Sequence, residues 1–79
     1  MERFLKGRLV KSLCGHDKDT IYVVIDLDDR YLYLVNGKDR AISSPKKKKR
    51  KHVQYIGKAI NIENCDDVRI KRLIKEALK

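Results

Sequence analysis

Apolar and polar residues alternate in short runs along most of this chain and then change period near its C-terminus. Residues 8–12, Arg-Leu-Val-Lys-Ser, read as a first strand, and residues 20–27 as a second, rich in β-branched and aromatic side chains. In the second strand Ile21, Val23, Ile25 and Leu27 share one face by simple alternation, while Tyr22 and Val24 make the other face partly apolar. A strand with two apolar faces needs cover on both, which predicts a closed or strongly curled sheet. Asp28-Asp29 turns the chain into a third strand at residues 31–35, Tyr-Leu-Tyr-Leu-Val. Asn36-Gly37 follows at once, the dipeptide that suits a type I′ hairpin, so residues 39–42 are expected to pair antiparallel with the third strand. Residues 53–56 read as a fifth strand. The intervening residues 44–52, Ser-Pro-Lys-Lys-Lys-Lys-Arg-Lys-His, are then a basic loop between strands, entered through Pro45.

Beyond residue 65 the period lengthens. Val68, Ile70, Leu73, Ile74, Ala77 and Leu78 mostly follow the spacing of one helical stripe and predict a helix over 66–78. Asn64 or Asp66 suits its N-cap, and Lys71, Arg72, Lys75 and Lys79 suit the negative end of its dipole. The expectation is one mainly β domain over residues 1–79, with a small five-stranded barrel over 5–56 and a C-terminal α-helix. No internal repeat is visible. At 79 residues such a domain buries roughly 60% of its unfolded surface, leaving no room for a second core.

Charge sharpens this picture. The chain carries 20 Lys and Arg against 11 Asp and Glu, a formal net charge of +9. Without residues 46–51 the balance falls to +3, from 14 basic and 11 acidic residues, so most of the excess sits in one segment. A patch this concentrated resembles a grip on a polyanion more than a general solubility surface. A solvated charged loop and a nuclear-import tag are the competing readings of the same run. Residues 1–6 lack the apolar run of a secretory leader, no stretch approaches the ~20 apolar residues of a membrane span, and two cysteines make no disulfide framework. A reducing, cytoplasmic setting is therefore expected.

The stretch from Gly7 to Val24, with Gly15-His16-Asp17-Lys18-Asp19 between two apolar strands, resembles the KOW motif of ribosomal and transcription-elongation proteins. The whole chain resembles the small bacterial KOW-domain RNA-binding proteins related to a large-subunit ribosomal protein, through Asn36-Gly37, Pro45 with the following lysines, and Lys51-His52-Val53. That resemblance covers residues 5–56 and implies an SH3-like barrel. It departs at Asp19, where the pattern has a second glycine; Asp is among the few non-glycine residues that visit left-handed geometry. The resemblance also implies an RNA surface on the first loop, at Gly15, His16 and Lys18, beside the basic segment Lys46, Lys47, Lys48, Lys49, Arg50 and Lys51, flanked by Arg40 and His52. Lysines act as mobile point charges on phosphates, and Arg50 can fork one. His16, His52, Tyr31, Tyr33 or Tyr55 could stack on a base, although sheet packing is the commoner role of strand tyrosines. The import reading ranks lower because the run falls where the resemblance expects a basic segment.

Other chemistries find less support. Cys14, His16, His52 and Cys65 lack the close ligand doublets of structural zinc sites, so neither a metal nor another cofactor is expected. Asp26, Asp28 and Asp29 fall at a turn, and Glu63, Asp66 and Asp67 at a helix start, where carboxylates have structural work. With no nucleophile elbow, phosphate-cradling loop or paired-histidine motif, an enzyme is not expected. The expected function is a monomeric, non-catalytic module of the translation apparatus that holds structured, ribosomal RNA by one basic barrel rim, with ribosomal proteins as further partners and no membrane. The alternative is an SH3-like protein-interaction module of the ribosome or transcription machinery. Replacing Lys47, Lys48, Lys49 and Arg50 with Gln is expected to weaken RNA binding and leave the fold intact.

Overall fold

A computed structural model describes residues 5–79; residues 1–4, part of the segment read above for a leader, lie outside the described residues. The described chain forms β1 (Arg8–Ser12), β2 (Ile21–Leu27), β3 (Tyr31–Val35), β4 (Lys46–Lys49), a 3-10 turn (Arg50–His52), β5 (Val53–Ala59) and α1 (Asp67–Ala77). The strands make one antiparallel sheet in the order β4-β3-β2-β1-β5. Mainly β structure with a C-terminal helix is thus as expected. Central β2 is covered on both faces, and its periodicity is the reason. Tyr22 and Val24 pack with Val10, Leu32, Leu34 and Val53, while Val23 packs with Leu9, Val35, Ile70 and Ile74.

The sheet curls strongly. Strands β4 and β5 are its two edges, roughly 19 Å apart if it were flat at the usual strand spacing. They also run in the same direction, a relationship that ordinarily takes a crossover of about a dozen residues. Here a three-residue turn joins them. Twist accumulates by about 20–25° per strand pair and, with the short turn, brings the end of β4 to the start of β5 at a corner. Val53 of β5 thereby reaches Leu32 and Leu34 of β3 across a face that no helix covers.

Two expectations about strands are overturned. Residues 39–42 form no strand, and the lysine run is not a loop: Lys46–Lys49 is itself the fourth strand, with Leu32 opposite Lys48 and Leu34 opposite Lys46. Asn36-Gly37 makes no tight hairpin either. The Asn36 side-chain oxygen accepts from the amides of Lys38 (2.9 Å) and Arg40 (3.0 Å), a local turn that starts a longer loop. Gly37 has φ +73° and lies under the helix, where a Cβ would collide with the Asp67 carbonyl. In addition the Ile42 amide donates to Asp67 Oδ1 at 2.8 Å. The loop is therefore held by α1, a partner 25 residues away that local turn chemistry could not reveal.

A β-bulge also changes one face. Register with β3 shifts between Val24 and Asp26, so Leu27 lies opposite Leu32 and packs with Tyr22 and Val24, not with Ile21, Val23 and Ile25. The helix starts one residue later than expected, with Asp66 as N-cap accepting from the Arg69 amide at 2.8 Å. Its buried stripe is Ile70 and Ile74, each contributing about 1.5–3 kcal/mol by burial. Val68, 77% exposed, and Leu78 fall outside it. Among the described residues no helix is long and apolar enough to cross a membrane, which leaves strand-built spans unaddressed.

Candidate nucleic-acid interface

As a strand, the lysine run alternates. Residues directly opposite in an antiparallel pair share a face, so Lys46 and Lys48 join Leu34 and Leu32 on the inner face, while Lys47 and Lys49 join Tyr33 and Tyr31 on the outer one. The aliphatic stem of Lys48 is covered and only 9% of the residue is exposed. Its Nζ donates to Asp17 Oδ1 at 2.8 Å and to the Cys14 carbonyl at 3.0 Å. Lys46 Nζ stands 3.7 Å from Asp17 Oδ2. Two of the six cations of the segment therefore share one carboxylate within the molecule, Lys48 closely and Lys46 at the longer distance, which leaves the trio with one net positive charge.

Asp17 is the hub of this cluster and was absent from the expected site. Tyr22 Oη donates to its Oδ2 at 2.8 Å, and the Ser12 hydroxyl lies 3.0 Å from its Oδ1 and 3.1 Å from the Cys14 carbonyl. Burial opposes ionisation of Asp17, yet hydrogen bonds from Lys48, Tyr22 and Ser12 outweigh it and hold the carboxyl well below the usual carboxylate range. Burial first, and the hydrogen bond to Asp17 second, push the Tyr22 phenol up to about 12. Period two applied to the lysines would have sent alternate ones inward and demanded such a carboxylate. In a loop, the expected state of the run, no such demand arises.

The same cluster brings the first loop to the basic strand. Gly15 (φ +88°) and Asp19 (φ +72°) both take left-handed backbone. The turn closes through the Asp19 amide on the Ser12 carbonyl (2.8 Å) and the Thr20 amide on the Asp17 carbonyl (2.9 Å). His16 and Lys18 remain exposed on either side of Asp17. Arg40 is half-buried, and its charge opposes the rise of the Tyr22 phenol. His52 is half-buried in the corner turn, where its carbonyl accepts from the Leu13 amide at 2.9 Å.

On the outer face Lys47 Nζ sits 4.2 Å from the centroid of the Tyr31 ring, and Lys49 and Lys51 are exposed. Arg50 does not stand ready to fork a phosphate. Its Nε (3.0 Å) and Nη2 (2.6 Å) both donate to the Asp28 carbonyl, clamping the β2–β3 turn to the corner. Asp28 Oδ1 caps that turn by accepting from the amides of Arg30 (2.9 Å) and Tyr31 (2.8 Å). These two bonds, foremost, lower the Asp28 carboxyl, and its Oδ2 accepts from Tyr33 Oη at 3.1 Å, raising that phenol. Tyr55 lies under the Arg8 guanidinium, 4.9 Å from ring centroid to Cζ. Because Lys48 and Arg50 hold structure together, the fourfold Gln replacement removes contacts of the fold as well as surface charge, contrary to the expectation that it leaves the fold intact.

Among the described residues no group of three or more His, Cys, Asp or Glu is placed to hold a metal ion; Cys14 is exposed and Cys65 packs beside the helix. A shallow depression of ≈ 380 Å³ opens at the corner, lined by Asp29, Arg30, Tyr31, Lys49, Arg50 and Lys51. No protein-family model matches the chain, and no curated protein matches it significantly.

Proposed function

We propose that this chain is a non-catalytic RNA-binding protein of the cytoplasmic translation apparatus, an SH3-like barrel of KOW type that holds structured RNA, ribosomal RNA foremost, on one basic rim. The observation that carries this reading is the set of exposed lysines Lys47 and Lys49 on β4 and Lys51 in the turn that follows it, which meets no carboxylate in an ion pair among the described residues, beside a strand that also packs against the first loop. Asp19 departs from the pattern's glycine but takes the left-handed backbone such a position calls for, and the short turn between the two edge strands suits a curled sheet; both support the reading. Lys48 is removed from the contacting set because it is buried on Asp17, and Lys46 is drawn toward the same carboxylate on the inner face. His16 and Lys18 extend the rim beyond Asp17. The exposed lysines of an edge strand also deter strand pairing between molecules, which is the structural reason for the run to exist without RNA.

The test is affinity for structured ribosomal RNA and for duplex DNA across a salt series, comparing the parent with K47Q/K49Q/K51Q. Loss of three phosphate contacts should flatten the logarithmic salt slope by about 2 and weaken binding to RNA. Unchanged affinity and slope would refute the rim. Equal weak binding of both nucleic acids would leave a generic polyanion surface.

A further inference from the structure

The depression at the corner has a composition that a plain phosphate grip does not need. Its lining combines four cations, Arg30, Lys49, Arg50 and Lys51, with one carboxylate, Asp29, and one aromatic ring, Tyr31. At ≈ 380 Å³ it falls at the small end of ligand sites, which run from about 300 to 1,000 Å³. The backbone beneath it is held before any ligand arrives. The Asp28 carboxylate holds the amides of Arg30 and Tyr31, Arg50 clamps the Asp28 carbonyl, and the Arg50 amide donates to the Arg30 carbonyl at 3.3 Å. A held backbone loses less ordering entropy on binding than a mobile loop.

We propose that this depression is a subsite for one unpaired nucleotide, with the base against Tyr31 and its phosphates among Arg30, Lys49 and Lys51. The inference rests on the RNA-binding reading and narrows it: the partner is an RNA that presents an extruded or loop nucleotide beside the helix gripped by the outer lysines. Single-stranded nucleotides offer the π-face that duplex RNA hides, and every base has one, so a single ring recognises an unpaired base without reading its identity. Asp29 supplies an acceptor at the rim, which suits a ribose hydroxyl or an exocyclic amine better than a second phosphate. Lys47 over Tyr31 orients the ring and leaves it flanked by positive charge.

The experiment pairs a short unstructured RNA oligonucleotide with structured ribosomal RNA, and follows backbone amide resonances together with affinities for the parent, Tyr31→Leu and Tyr31→Phe. The oligonucleotide should shift the resonances of residues 29–31 and 49–51, and Tyr31→Leu should weaken it about tenfold, as expected for one lost stacking contact. Tyr31→Phe keeps the ring and should restore binding, which separates stacking from any loss of folding in the leucine variant. Oligonucleotide affinity that both variants share with the parent, or the same shifts produced by inorganic phosphate alone, would overturn the subsite. Salt-dependent, lysine-dependent binding of structured RNA could survive that outcome and would keep the wider reading. A parent that binds the oligonucleotide through residues 29–31 but no structured RNA would do the reverse.

Discussion

Lys48 and Asp17, 31 residues apart in sequence, form a nearly buried ion pair with Nζ 2.8 Å from Oδ1, and through it the basic strand is fastened to the first loop. Removing one partner strands the other in a site that Tyr22 and Ser12 only partly satisfy. Lys48→Met should therefore destabilise the fold by about 2–3 kcal/mol, less than the loss of a fully isolated pair because Lys46 and two hydroxyls remain. The exposed neighbour change Lys49→Met should stay within about 0.5 kcal/mol. Urea denaturation of both, and of Asp17→Asn with the double variant, measures the coupling. A coupling energy near zero would show that the pair holds nothing together.

The same carboxylate sets a pH dependence. Asp17 has a lower pKa folded than unfolded, so its stabilisation is full above the unfolded value of about 3.9 and is lost as pH falls toward the depressed folded value. Denaturation midpoints from about pH 6 to about pH 2 should fall more steeply for the parent than for Asp17→Asn. Tyr22 behaves oppositely. Its pKa is raised to about 12, so its contribution is full below the unfolded value of about 10 and fades as pH climbs between the two. Absorbance titration should show a late phenol that Tyr22→Phe removes.

Two glycines with nearly the same backbone separate conformational cost from steric cost. Gly37 (φ +73°) faces the Asp67 carbonyl at the start of α1, whereas Gly57 (φ +78°) has open space where a Cβ would go. Gly57→Ala should cost about 1 kcal/mol for left-handed backbone alone. Gly37→Ala should cost about 2–4 kcal/mol, because the helix must also move. Amide exchange should report faster opening of α1 in the second variant only. Equal losses would mean that the loop and helix yield freely at Gly37.

Strand β4 pairs with β3 and leaves its other edge open. Lys47 and Lys49 guard that edge by charge. K47V/K49V should stay folded yet associate as concentration rises, read by sedimentation, while K47Q/K49Q retains enough polarity to stay dispersed. A monomeric valine variant at high concentration would assign edge protection to some other feature.

The residues determined a good deal by themselves. Strands β1, β2, β3 and β5, the two-faced burial of β2 and the stripe through Ile70 and Ile74 were legible because each depends on side chains within a few positions of one another. The tolerance of Asp19 for left-handed backbone was legible for the same reason. What the sequence could not determine is which segment takes the place beside β3. Local propensity favoured residues 39–42 over four lysines, and the tertiary structure reversed that choice. Lys46 and Lys48 can turn inward only because the curl of the sheet carries Asp17 to them, and Asn36-Gly37 opens into a loop because α1 packs on Gly37. A charge run has no period of its own. Only the carboxylate and the helix that meet it in space decide which of its cations are structure and which are left to face a partner.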